Sequence, residues 1–184
     1  MFPLLVYFLF CSFLFSYDGQ KGQIFGSIGY SIFDNARDAN PNLTNANFGF
    51  GLGFRKSAHV GFRGDVNYFG DSRDHIAYPY DINLWDYGGD FIYYFNDSRQ
   101  QPYVFGGARV LNYHEISDAP SLPGVGEINV NSLGLDFGVG VHGYLSHNIS
   151  IRPEFRIVYD ADLDEHNDVH SYLFNFSAAV AYHW

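Results

Sequence analysis

The chain has 184 residues, of which 20 % are aromatic and 16 % charged, with 20 Gly and a formal net charge of −10. So much aromatic content beside so little charge excludes a disordered chain, and the excess of acids argues against nucleic-acid binding. The single cysteine, Cys11, excludes a disulfide framework, and a mean hydropathy of −0.13 excludes a bundle of membrane helices.

The only continuous apolar run, Leu4 to Phe15, is too short for a membrane helix, which needs roughly 20 residues. Its position predicts a cleaved signal peptide over residues 1–16 and an exported domain over 17–184, although Met1-Phe2-Pro3 carries no basic residue. Cys11 is then lost with the peptide.

From Tyr17 onward the apolar residues recur with period two, the signature of strands. Ile24, Gly26, Ile28, Tyr30 and Ile32 share one face of the first stretch. Ala46, Phe48, Phe50, Leu52 and Phe54 do so in the second, with glycines opposite. The third sets Val60, Phe62, Val66 and Tyr68 against Arg63, Asp65 and Asn67. The fourth sets Trp85, Tyr87, Phe91, Tyr93 and Phe95 against Asp86, Gly88 and Asp90. The fifth, Tyr103 to Asn112, breaks parity. A bulge at Gly106-Gly107 is expected to put Tyr103 and Phe105 on one face with Ala108 and Val110, and to turn Arg109 the other way.

The sixth stretch sets Leu133, Leu135, Phe137, Val139 and Val141 against Ser132, Gly134, Asp136, Gly138 and His142. The seventh sets Ile149, Ile151, Phe155, Ile157 and Tyr159 against Arg152, Glu154 and Arg156. Pro153 cannot donate to a ladder and predicts an irregularity there. The eighth sets Tyr172, Phe174, Phe176, Val180, Tyr182 and Trp184 against Asn175, Ser177 and His183.

The polar faces are rich in glycine and carry both signs of charge, which suits a narrow interior. The apolar faces crowd aromatics near the strand ends, as the two interfacial girdles of a membrane barrel require. A sheet in lipid must close on itself, because lipid satisfies no unpaired backbone group. The expected fold is all-β, an eight-stranded antiparallel up-and-down transmembrane β-barrel.

The connections alternate long and short: 34–45, 55–59, 70–82, 96–101, 114–128, 145–148 and 160–170. With the N-terminus in the periplasm, every long one lies outside the cell. The long connections together carry eleven net negative charges and the short turns two net positive ones.

Phe176, Val180, Tyr182 and the final Trp184 on one face resemble the assembly signal of bacterial outer-membrane barrels. The stretch Ile151-Arg152-Pro153-Glu154-Phe155-Arg156-Ile157-Val158-Tyr159-Asp160 is similar to the penultimate strand of OmpA-like barrels, and Pro102-Tyr103-Val104-Phe105-Gly106-Gly107 is similar to the start of their fifth. The chain thus resembles the small OmpA-like and OmpX-like barrels from Gln23 to Trp184. The peptidoglycan-binding domain of many relatives is not expected, so wall anchoring is not implied.

Some barrels of this size modify lipid A, and that resemblance would imply a histidine near a serine and a carboxylate at the outer rim. His147 with Ser146 and Ser150 is the nearest cluster, but it falls on a short periplasmic turn, as does His59. His75, His114, His166 and His170 lie in outer loops with no legible nucleophile–base spacing. Asp160-Ala161-Asp162-Leu163-Asp164 begins like a calcium loop, but Glu165 stands where the turn needs glycine and Ser171 where a closing glutamate belongs. No catalytic, cofactor or metal site is expected.

The interior constellation is more specific. Parity turns Asp65, Asp86, Asp90, Asp136 and Glu154 inward together with Arg63, Arg109, Arg152 and Arg156, and only arginine, among the bases, is used there. Arginine suits buried, multiply hydrogen-bonded carboxylates. These nine residues predict a charge network plugging the lumen. The expected protein is a monomeric outer-membrane barrel with a structural and surface-interaction role and no chemistry. A narrow porin-like channel and a lipid A-modifying enzyme are the alternatives. Expected partners are outer-membrane lipid and lipopolysaccharide, the barrel-assembly machinery and an extracellular partner at the acidic loops.

Overall fold

The computed structural model describes residues 22–34, 43–73, 80–117, 128–160 and 171–184. The expected signal peptide, Cys11 and the central parts of the long connections, with His75, His166 and His170, lie outside the described residues. Eight strands follow in chain order: β1 (Gly22–Asp34), β2 (Leu43–Arg55), β3 (Val60–Arg73), β4 (Tyr80–Tyr94), β5 (Gln100–Ser117), β6 (Ile128–Tyr144), β7 (Ile149–Asp160) and β8 (Ser171–His183). Each pairs antiparallel with its neighbours in sequence, and β1 pairs with β8 from Gln23↔His183 to Asp34↔Tyr172, closing the barrel.

The period-two pattern becomes a wall with two chemically opposite faces. Ile28, Phe137 and Val180 are about 60 % exposed on the outside, whereas Leu84, Asp86 and Arg63 on the inside are at most 1 % exposed. Aromatic rings meet in two outward bands. Phe54, Phe62, Phe91, Tyr93 and Phe95 line the end where the strands are joined by tight turns, with Phe54–Phe62 centroids 5.2 Å apart. Tyr68 with Trp85, and Tyr159 with Tyr172, line the opposite, loop end. Among the described residues no helix is long and apolar enough to cross a membrane.

Tight turns at 56–59 and 145–148 are closed by backbone bonds, Lys56 N–H to Val60 O at 2.8 Å and Leu145 N–H to Ile149 O at 2.9 Å. Ser57 and Ser146 hydroxyls accept the amides of Val60 and Ile149, each at 3.1 Å. At the loop end the strands run further than the sequence indicates. Asp34, Asp71, Arg73, Asp81, Glu115 and Asp160, assigned to loops by composition, belong to strands.

Strand β5 corrects the sequence reading. Its register against β4 and β6 is unbroken through Gly106 and Gly107, so no bulge forms. Tyr103 and Phe105 point into the lumen with Arg109, while Val104, Ala108 and Val110 face outward. The reason lies on the neighbouring strand. A Cβ on Gly138 would come within 2.4 Å of the Phe105 ring, and one on Gly140 within 2.6 Å of the Tyr103 ring. Two missing side chains on β6 make room for two inward rings on β5. The irregularity expected at Pro153 does appear: β6–β7 pairing lapses between Gly140↔Glu154 and Gly143↔Ile151. On its other side Pro153 stays in register with Ala178.

Candidate functional site

The inward faces of β3 to β7 each contribute charged side chains near mid-height, and closure brings them together. Eight of the nine residues named from sequence are buried, and Glu154 is part-buried. Arg109 is the hub. Its Nη2 donates to Asp65 at 2.7 Å, its Nη1 to Asp136 at 3.2 Å and to Asp90 at 3.5 Å, and its Nε to Asp86. Arg156 donates from Nη1 to Asp65 at 3.1 Å and from Nη2 to Asp90 at 2.8 Å, and its Nε lies 3.2 Å from Asp136. Arg63 spans the lumen, from Asp90 on β4 to Glu154 on β7, each contact 2.5 Å. Tyr103 Oη also donates to Glu154. Arg152 stands apart from this core. Its Nη1 donates to Gln23 at 3.2 Å, its Nε is 3.8 Å from Glu154, and its guanidinium lies 4.1 Å from the Phe25 ring centroid.

Buried ions are tolerated only when paired and hydrogen-bonded, because removing a charge from water costs several kcal/mol. Guanidinium forks shared among several carboxylates pair every one of these ions from β3 across to β7, while Arg63 Nη2, Asp86 Oδ2 and Asp136 Oδ1 are buried without a hydrogen bond. The inward Phe105 completes the layer by placing its ring 4.3 Å from the Arg63 guanidinium and 5.1 Å from that of Arg156.

Two further layers escaped the sequence reading. Toward the loop end Phe69, Leu84, Leu111, Val158 and Leu173 form an apolar cluster inside the lumen. Each lies two residues to the loop side of an inward polar side chain: Asn67, Asp86, Arg109, Arg156 and Asn175, respectively. That spacing was the available signal, because an apolar residue in phase with a charged one must share its face. Above this layer Asp160, read as part of an acidic loop, is buried and accepts from Tyr113 Oη at 2.9 Å and Ser132 Oγ at 2.8 Å.

Toward the turn end His142, Ser150 and His183 meet. Ser150 Oγ is 2.7 Å from His142 Nε2 and 2.8 Å from His183 Nε2, and the two nitrogens are 3.3 Å apart. The sequence reading had joined Ser150 to His147 and Ser146, but those two belong to the exposed turn while Ser150 turns inward. His59 is also at a turn, with Nδ1 2.9 Å from Tyr94 O. Arg55, assigned to a turn, reaches inward: its Nη1 donates to Gln101 at 2.8 Å over the Tyr94 ring. Phe176, Val180, Tyr182 and Trp184 all lie exposed on the outer face of β8 and just beyond its end.

The profile of the family described as "Outer membrane protein beta-barrel domain" matches residues 6–183. No curated protein matches the chain by sequence. Among solved structures, the chain is similar to neisserial surface protein A, at 17 % identity and a TM-score of 0.64, over 88 % of this chain and 96 % of that one. It is also similar to Ail, the attachment invasion locus protein of Yersinia pestis, at 13 % identity and a TM-score of 0.60, covering 89 % and 99 %. A major outer membrane protein of Thermus thermophilus aligns at 12 % identity with a TM-score of 0.67, covering 90 % and 100 %. At these identities the likeness concerns the fold.

Proposed function

The chain belongs to the outer membrane protein β-barrel domain family, and from that premise we propose that it is a sealed, monomeric barrel with a structural and surface-interacting role and no chemistry. The observation that carries this reading is the filled lumen. A salt-bridged layer and an apolar layer lie in series along its axis, and both are buried. Ions crossing the first would have to displace paired charges, and water entering the second would gain no hydrogen bonds.

The tight turns face the periplasm in this reading, and export proceeds through residues 1–16. The outward aromatic row of Phe176, Tyr182 and Trp184, with Val180, is offered to the barrel-assembly machinery. The acidic long connections favour a basic partner, or lipopolysaccharide phosphates bridged by divalent cations. Planar-bilayer recording tests the central statement: purified protein should give rare, small steps. A steady open conductance would favour the porin-like alternative instead. Unchanged lipid A masses in overexpressing cells are expected, and a new lipid A species would establish an enzyme.

A further inference from the structure

The outer face changes chemistry abruptly near the loop end of β4, β5 and β6. Register aligns Tyr87, Val110 and Leu133 across these strands, an apolar row of the lipid-facing kind. Two residues nearer the loops, Trp85, Asn112 and Asn131 stand side by side, and two beyond those, Asn83, His114 and Asn129. Successive rows on one face lie about 7 Å apart along the strands, or roughly 5 Å in height at the usual tilt. Trp85, Asn129 and Asn131 are exposed, and the other three are half-buried. An amide facing hydrocarbon finds no hydrogen-bond partner, so these rows mark the level at which the wall leaves the acyl chains and meets head groups.

The amides form a lattice of donors and acceptors. Asn112 Nδ2 donates to Asn131 Oδ1 at 2.7 Å and to Asn129 Oδ1 at 3.1 Å. Both acceptors are carbonyl oxygens, so Asn131 and Asn129 keep their Nδ2 donors for an outside group and Asn112 keeps its Oδ1. Beside them Tyr68 Oη donates to Asn83 Oδ1 at 2.5 Å, and its ring packs against Trp85 with centroids 4.8 Å apart. An aromatic platform thus adjoins a row of amides with both donors and acceptors on offer. That pairing fits a sugar ring, whose hydroxyls donate and accept as amides do and whose C–H face rests on the negative face of an aromatic ring.

We propose that this face of β4–β6 binds the sugar of a glycolipid in the outer leaflet. Charge decides among head groups. Neither amide row holds an Asp, Glu, Lys or Arg, and the long connections carry a net negative charge. A phosphate here would meet no cation and a field that repels it, whereas an uncharged ring of hydroxyls meets no such repulsion. The apolar row of Tyr87, Val110 and Leu133 just below accommodates the acyl chains of the same molecule, which holds the sugar at high effective concentration beside the amides. This contact is separate from the bridging of phosphates by divalent cations at the acidic loops. Its placement in the outer leaflet rests on the orientation proposed above, with the tight turns in the periplasm; the contact with sugar does not.

Trp85 is a built-in reporter. The chain has two tryptophans, so Trp184→Phe leaves Trp85 alone. The refolded Trp184→Phe chain in detergent, with EDTA throughout, is titrated with purified rough lipopolysaccharide, which retains its core sugars. Emission from Trp85 should shift and saturate, and phosphatidylglycerol of the same acyl length should not reproduce the change. Asn112→Ala and Asn131→Ala should each raise the half-saturation concentration at least fivefold while keeping the heat-modifiable mobility of a folded barrel. An equal response to phosphatidylglycerol, a response that needs Mg²⁺, or unchanged half-saturation in both variants would each overturn the proposal. Should the variants fail to fold, free core oligosaccharide in excess decides: displacement of lipopolysaccharide supports the sugar contact, and no displacement overturns it. Oligosaccharide that binds as tightly as the glycolipid would assign the face to a soluble glycan and overturn the lipid assignment. An inverted barrel would leave this titration unchanged and be revealed by cysteine labelling of intact cells.

Discussion

Tyr103 occupies the space that a side chain on Gly140 would need: a Cβ there would stand 2.6 Å from the Tyr103 ring and 3.0 Å from Glu154 Cγ. Because the ring is held through its hydroxyl to Glu154, it has little freedom to withdraw. Gly140→Ala should cost about 1–3 kcal/mol, as overpacking does. In a double-mutant cycle with Tyr103→Leu the two losses should be markedly less than additive. Urea unfolding of the refolded variants measures this, and strict additivity would show that the ring does not hold β5 in register.

Gly138 gives a harsher version of the same test. A Cβ there meets Phe105 at 2.4 Å and also the Phe155 carbonyl at 2.3 Å, and backbone cannot move aside as a ring can. Gly138→Ala should therefore destabilise more than Gly140→Ala, and a Phe105→Leu partner should recover only part of the loss.

Removing the hub should be costly. Arg109 holds four carboxylates, so Arg109→Met leaves Asp86 without a guanidinium contact among the described residues and weakens the pairing of Asp65, Asp90 and Asp136. A loss of about 3–5 kcal/mol is expected for breaking a buried pair. Arg109→Lys should recover little, since one ammonium cannot reproduce the fork. Equal stability of wild type and Arg109→Met would mean that the layer is well hydrated.

Two seals in series make a prediction about conductance. Arg156→Ala opens the charged layer but leaves Phe69, Leu84, Leu111, Val158 and Leu173 in place. It should stay nearly silent in planar bilayers, as should Leu111→Ser alone. Only the double variant should pass steady current. Full conductance from Arg156→Ala alone would show that the apolar layer does not close the lumen.

Much of this architecture is legible in the sequence, because an alternating strand carries its orientation in every second residue. Asp86 and Asp90 on β4, or Arg152 and Arg156 on β7, cannot be turned to lipid without exposing Phe91 or Ile157 to the lumen. Legibility fails where the inward face is itself apolar. Tyr103 and Phe105 look like lipid-facing residues until the glycines opposite them on β6 are considered, and register between strands is not written in either strand alone. Leu84, Leu111 and Val158 are a different case: each stands two residues from an inward charge on its own strand, so its phase is legible and only its apolar character points the other way. The meeting of His142 with His183 joins residues 41 positions apart and needed the closed barrel to be seen.

Topology has a direct check. A cysteine at Ser98 or Ser146, both in tight turns, should resist a membrane-impermeant reagent in intact cells and react after permeabilisation. Labelling of Ser146→Cys on intact cells would invert the orientation.

The pairing of Gln23 with His183 has a temporal consequence. Strands β1 and β8 are each other's neighbours although nearly the whole described chain lies between them, so the wall is incomplete until its last strand arrives. Until then both margins carry open amides and carbonyls, and in a bilayer such margins are not tolerated. No partial barrel can wait in lipid as a stable halfway form. The chain has to travel unfolded and then commit at once, which makes insertion close to an all-or-nothing event with a slow, non-local contact at its end.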